Sequence, residues 1–158
     1  MTTRTGYSLI QIALHWLILV LIAGAWLLGD QMHGYEKLPA TAALPLHGIL
    51  GLSVFFLMIL RLLLRLWLGA PPPPASDPKW QRRAATLTHW AIYALAILGP
   101  WAGGFAFYLR LDIAADLHEV LINLLIIAIL AHTAAALYHQ FVLKDNLLAR
   151  MRPGGSRV

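Results

Sequence analysis

Cysteine is absent from this chain of 158 residues. That excludes a disulfide framework, thiolate metal sites and any cofactor held through thioether bonds. Charge is also scarce: charged residues make up 12% of the chain, against about 25% in an ordinary soluble domain. No segment alternates polar and apolar residues as a half-buried strand would, and no repeat of solenoid period is present. What fills the sequence is apolar, 59% of all residues. A soluble core of this size could not hide that much hydrocarbon, whereas four membrane helices of about 20 residues each would use most of it.

The few charges mark off the spans. Nothing is charged between Arg4 and Asp30, between Lys37 and Arg61, or from Ala84 to Leu109, and another uncharged run begins at Val120. These runs predict an all-α, integral membrane four-helix bundle forming a single transmembrane domain over residues 1–158. Its spans fall near 8–28, 46–66, 84–109 and 118–142. Helices are the only open-ended structure that satisfies its own backbone in lipid. Ala23-Gly24-Ala25 resembles a signal-peptidase site, but the run before it is long for a signal peptide and contains Gln11 and His15, so it reads as a retained span. Gly99-Pro100 is expected to kink the third helix. Pro71–Pro74 reads as a stiff polyproline spacer.

Ten of the twelve basic residues lie in the N-terminus, in the connection between spans two and three together with the end of span two that leads into it (Arg61 and Arg65), and in the C-terminal tail. The other two connections hold Lys37 and Arg110 against five acids, Asp30, Glu36, Asp112, Asp116 and Glu119. The positive-inside rule then puts both termini in the cytoplasm of a bacterial inner membrane. Topology thus accounts for the net charge of +5, and no nucleic-acid partner is called for; lipid is the first partner.

Six of the seven histidines, His15, His47, His89, His118, His132 and His139, lie in or at the edges of spans. Ionisable side chains at that depth point to function. His118 and His132 are 14 residues apart, about 21 Å along one helix and about 40° apart around it, so they share a face. His47 opens the second span at the level of His118, and His15 lies at the level of His132. Two cross-helix pairs at two depths suit two haem b groups, each ligated by imidazole on both sides. Gly24, Gly48 and Gly51 offer room for a flat macrocycle. Zinc would want more ligands per level, and no carboxylate lies within a span.

His139 shares the face of His132 and is its rival as inner ligand, with His89 as the partner it would take. His132 is preferred, because about 31 Å separates His118 from His139 and would push the inner haem into the headgroups. His89 and His139 then lie towards the cytoplasmic surface near Arg65 and Lys144. That group could bind a quinone carbonyl and relay its protons. Alternatively, Arg65 and Lys144 snorkel or neutralise haem propionates.

The segments YSLIQIALHW, LHGILG and THWAIY, with LHEVLINLLIIAILAHTAAALYHQFVLKDNLLARMRP, resemble the bacterial four-helix cytochrome b561 family over nearly the whole chain. The resemblance implies two non-covalent haems b, ligated by His15 and His132 on the inner side and by His47 and His118 on the outer side. It also implies single-electron transfer between ubiquinone and a second partner, either a periplasmic redox protein or superoxide. The connection between spans three and four, Arg110–Leu117, is shorter than in superoxide-oxidising members. The outer loops hold two bases against five acids, so charge alone does not steer superoxide; Lys37 and His33 still offer an anion path there and keep that activity open. Alternative functions are a membrane anchor and electron conduit for a separate dehydrogenase or hydrogenase, and a histidine-lined transporter. The second lacks the broken helices or paired repeats such proteins show. Small residues on one face are compatible with a homodimer.

Overall fold

The computed structural model describes residues 6–32, 43–74 and 77–154. Among them the secondary structure is wholly helical, and four helices are long and apolar enough to cross a membrane. They are α1 (Leu9–Leu27), α2 (Leu46–Leu68), α3 (Lys79–Leu109) and α4 (Asp112–Tyr138). The last continues into a π-helical turn, His139–Leu143, and the tail adds a short 3-10 turn, Leu147–Met151. Lys37 and His33, raised above as outer-loop candidates, lie outside the described residues.

Each helix end has a local cause. α1 begins at a capping box: the Ser8 hydroxyl accepts the Gln11 N–H, and the Gln11 side-chain oxygen accepts the Ser8 N–H. Two orphan donors are thus satisfied at once. α2 follows Pro45 and stops at Gly69, whose φ of 77° and ψ of −175° only glycine holds without strain. The free Gln11 amide nitrogen donates to the Gly69 carbonyl at 3.1 Å, tying the start of α1 to the end of α2. α4 opens with Asp112 in its first turn, where the helix dipole favours an acid.

Two expected boundaries shift. α3 starts at Lys79 rather than near residue 84, because a charged, exposed turn after Pro78 stays helical outside the apolar span. α4 starts at Asp112 rather than near residue 118. Its acids therefore sit on helix, and the connection from α3 is only Arg110 and Leu111. Arg110 turns the corner in the left-handed region at φ 55°. α3 runs through Pro100 as one helix.

The helices pack consecutively, α1 on α2, α2 on α3 and α3 on α4. Their shared core is Leu14, Ile18 and Ile22 of α1, Val54 and Met58 of α2, Tyr93 and Ala96 of α3, and Leu125 of α4. Close approach depends on small residues, as expected where lipid removes the hydrophobic drive between helices. Ala96 is fully buried. A Cβ on Gly99 would lie 2.8 Å from Ile122 Cδ1. Large apolar side chains such as Val20, Leu63, Ile127 and Leu130 face outward, where hydrocarbon replaces water.

Leu125 is 1% exposed and Leu130 64% exposed on the same helix. Leu125→Ala is expected to lower unfolding free energy in mixed micelles by about 2–3 kcal/mol, the low end for a buried leucine. Leu130→Ala should stay within about 0.5 kcal/mol. Equal losses at both positions would place α4 in a different packing.

Candidate functional site

α4 packs its backbone closely on α3, with no comparable packing on α1 or α2 among the described residues. Its histidines nevertheless reach both. The ring centres of His47 and His118 are 6.0 Å apart across α2 and α4. Those of His15 and His132 are 6.4 Å apart across α1 and α4. The ring planes stand nearly perpendicular in both pairs, at 86° and 79°. The first pair lies at the end of the bundle away from the termini, the second towards the end that carries them. Fourteen residues of α4 separate the two levels, about 21 Å along the axis.

At the far level the rings are oriented by backbone. His118 Nδ1 lies 2.8 Å from the Gly99 carbonyl, and His47 Nδ1 lies 2.8 Å from the Ala25 carbonyl. A carbonyl can only accept, so each Nδ1 carries the hydrogen and each Nε2 keeps its lone pair. That is the tautomer and the second contact a metal-binding histidine uses. Gly103 makes room for it: a Cβ there would sit 2.9 Å from His118 Nδ1. The Gly99-to-Gly103 spacing on α3 is thus part of the His118 seat, one that inspection of the histidines alone does not reveal.

At the near level a third ring joins. His89 of α3 lies 5.1 Å from His132, centre to centre. His89 was expected nearer the surface, beside His139; its contact is instead with His132. The reason is the early start of α3, which places His89 ten residues, about 15 Å, along that helix. Arg61 of α2 acts electrostatically on His15, His89 and His132 alike. Its guanidinium donates to the Gln11 carbonyl at 2.6 Å. Arg65, one turn further along α2, lies over the Tyr93 ring at 5.8 Å. Tyr7, Gln11, Arg61, Arg65 and Tyr93 line one cleft.

His139 belongs to a separate cluster. It is buried, and its Nδ1 hydrogen-bonds Asp145 Oδ2 at 2.5 Å, while Asp145 Oδ1 accepts the Leu147 N–H. Asp77, buried at the end of the proline-rich connection, brings a carboxylate oxygen into the same group, all within 4.8 Å. Three such groups can hold a cation or share a proton. The next residue, Gln140, has a buried Oε1 with no hydrogen-bond partner among the described residues. Lys144 is exposed and left-handed at φ 56°. The tail is tied down by Trp16 Nε1 donating to the Met151 carbonyl and Arg150 donating to the Pro72 carbonyl. Asp77 and Asp145 were not singled out from sequence. A signal existed for Asp145, six residues after His139 and just past the end of the last apolar run, but none for Asp77.

A sequence profile described as prokaryotic cytochrome b561 matches residues 6–154. The chain is 33% identical to cytochrome b562 of Cereibacter sphaeroides, over 96% of this chain and 98% of that one. It is 32% identical to a probable superoxide oxidase CybB of Yersinia pestis, over 93% and 96%. It is 31% identical to cytochrome b561 homolog 1 of Escherichia coli, over 93% and 97%.

Gly103→Val is expected to push the His118 ring off the Gly99 carbonyl. Bound haem per chain, read from the pyridine haemochrome, should fall while the helical circular dichroism persists. Gly104→Val is the control, since a Cβ there meets nothing within 4 Å. Equal haem contents in the two variants would mean that the His118 seat does not matter for the cofactor.

Proposed function

The chain belongs to the prokaryotic cytochrome b561 family of bacterial membrane haem b proteins that transfer electrons, and on that footing we propose that it is a dihaem, quinone-linked oxidoreductase. One haem b would be held by His15 and His132 and the other by His47 and His118. The observation that carries this is the ring spacing of 6.4 Å and 6.0 Å. A metal bound by two opposed imidazoles separates their ring centres by about 6 Å: two bonds of about 2 Å, plus about 1 Å from each nitrogen to its ring centre. Both pairs also sit where α4 packs less closely on α1 and α2 than on α3, and the core shared by the four helices is apolar. The donor set therefore fits the group.

Haem, when bound, supplies the one-electron chemistry; the chain supplies ligation, orientation and field. Nδ1–H bonds to the Gly99 and Ala25 carbonyls hold His118 and His47 with Nε2 free to ligate. Arg61 places positive charge at the His15–His132 level, and Glu119 places negative charge near His118. An added electron is therefore favoured at the Arg61 level over the Glu119 level, by Coulomb's law in a low dielectric. With both termini in the cytoplasm, that field draws electrons inward from a periplasmic donor.

The acceptor side lies at the cytoplasmic end. His139, oriented by Asp145, has the arrangement of a proton relay. Gln140 Oε1, buried and lacking a donor, suits the hydroxyl of a reduced quinone. Arg65 and His89 lie one layer deeper, and exposed Lys144 lies at the rim. Ubiquinone is the substrate class this end fits. On the donor side Asp112, Asp116 and Glu119 outnumber the bases of a two-residue connection, so charge favours a basic redox protein over the superoxide anion. The superoxide activity named for the Yersinia relative is thus not the first donor assigned here.

His132→Ala is expected to cost one of two haems per chain. His139→Ala should keep both haems but lower the rate of quinone reduction by tenfold or more, with the pH dependence of that rate altered. If His139→Ala loses a haem and His132→Ala loses none, the inner pairing is wrong. If quinone turnover by the purified chain is absent with both haems bound, the conduit reading replaces the enzymatic one.

A further inference from the structure

Arg61 and Arg65 present a problem the proposed electron path does not solve. Both belong to the membrane-spanning part of α2, four residues apart and so on one face. Arg61 is partly buried and donates to a backbone carbonyl, and Arg65 lies over the face of Tyr93. Neither contact supplies negative charge, and no carboxylate pairs with either guanidinium among the described residues. The acids at this end are engaged elsewhere: Asp145 holds His139, and Asp77 lies in that same cluster. A guanidinium at this depth is costly unless an anion meets it. Two adjacent ones repel each other as well.

The cleft they line shows what kind of anion is wanted. Its other walls are Tyr7, Gln11 and Tyr93, so hydroxyl donors flank the guanidinium pair. Arg61 bonds the carbonyl of Gln11, one helical turn from His15, about 6 Å towards the end that carries the termini. The anion is thus called for immediately beside the His15–His132 pair. Planar, bidentate guanidinium donors match carboxylates.

We propose that Arg61 and Arg65 hold the propionate carboxylates of the haem at the His15–His132 level. This rests on the dihaem reading above. The cofactor itself brings the missing counter-charge, and its carboxylates would be as costly without the arginines as the arginines are without them. Apoprotein folded without haem then carries two unpaired guanidinium groups at this level, so haem binding and α2 packing stabilise each other.

A chemical double-mutant cycle tests it. Full-length wild type and the Arg61→Gln/Arg65→Gln double variant are each loaded with haem b and with its dimethyl ester, whose propionates are uncharged. Loss of haem to excess apomyoglobin is then timed. A His118→Ala background retains the inner haem alone and identifies its phase. With haem b, the double variant is expected to release the inner haem at least tenfold faster than wild type. With the ester, wild type and variant should release it at the same rate. Arg61→Lys, which keeps the charge but loses the fork, should fall between. A tenfold difference that persists with the ester overturns the proposal, since the arginines would then act through the protein. Unchanged haem release with weakened binding of added ubiquinone also overturns it and assigns the cleft to the quinone. A wild type with one haem, retained in His132→Ala, overturns the dihaem reading and this proposal together. Two wild-type haems with arginine-independent release overturn this proposal alone.

Discussion

Everything in this molecule is arranged around pairs of imidazoles that meet across a gap between helices. α4 is anchored to α3 by small residues and stands off from α1 and α2, yet it sends His118 and His132 across to His47 and His15. Polar rings in hydrocarbon must each find a partner. The far pair does so through carbonyls of α1 and α3, which fix the tautomer and leave the Nε2 lone pairs unprotonated. Gly103 and Gly99 serve the same end by giving His118 its seat and letting α4 approach α3. The core of Leu14, Ile18, Val54, Met58, Ala96 and Leu125 packs the four helices together between the two levels.

The charges form a second layer of organisation. Arg61 and Arg65 lie on the side of the near pair, Glu119 beside the far pair, and the Asp77–His139–Asp145 cluster at the end that carries the termini. The acids beside the far pair and the arginines beside the near pair set a charge gradient along the bundle, and the His139 cluster sits at the basic end. The strapping of that end, through Gln11 to Gly69, Trp16 to Met151 and Arg150 to Pro72, gathers the tail and the proline-rich connection around His139.

The fold and the histidine pairs were legible in the sequence because both rest on one-dimensional regularities. Uncharged runs of membrane length report spans, and a spacing of 14 puts His118 and His132 on one face whatever surrounds them. Depth, by contrast, was counted from helix ends set at the first charge. Helices do not stop there: α3 continues to Lys79 and α4 to Asp112, which moves His89 down to His132 and shrinks the last connection to two residues. The His139 cluster was out of reach for another reason. Asp77 and Asp145 are 68 residues apart in the chain and meet only because a π-helical turn and a left-handed Lys144 fold the tail back. Neither feature has a periodicity to read.

The central claim is that two opposed imidazole pairs at two depths each take a haem b. The most direct measurement is the haem-to-protein ratio of the detergent-purified wild-type chain, by pyridine haemochrome against amino-acid analysis, with a stepwise redox titration on the same sample. Two haems b per chain, titrating as two distinct waves, is the result this account predicts. One haem per chain in fully loaded, folded protein would contradict it.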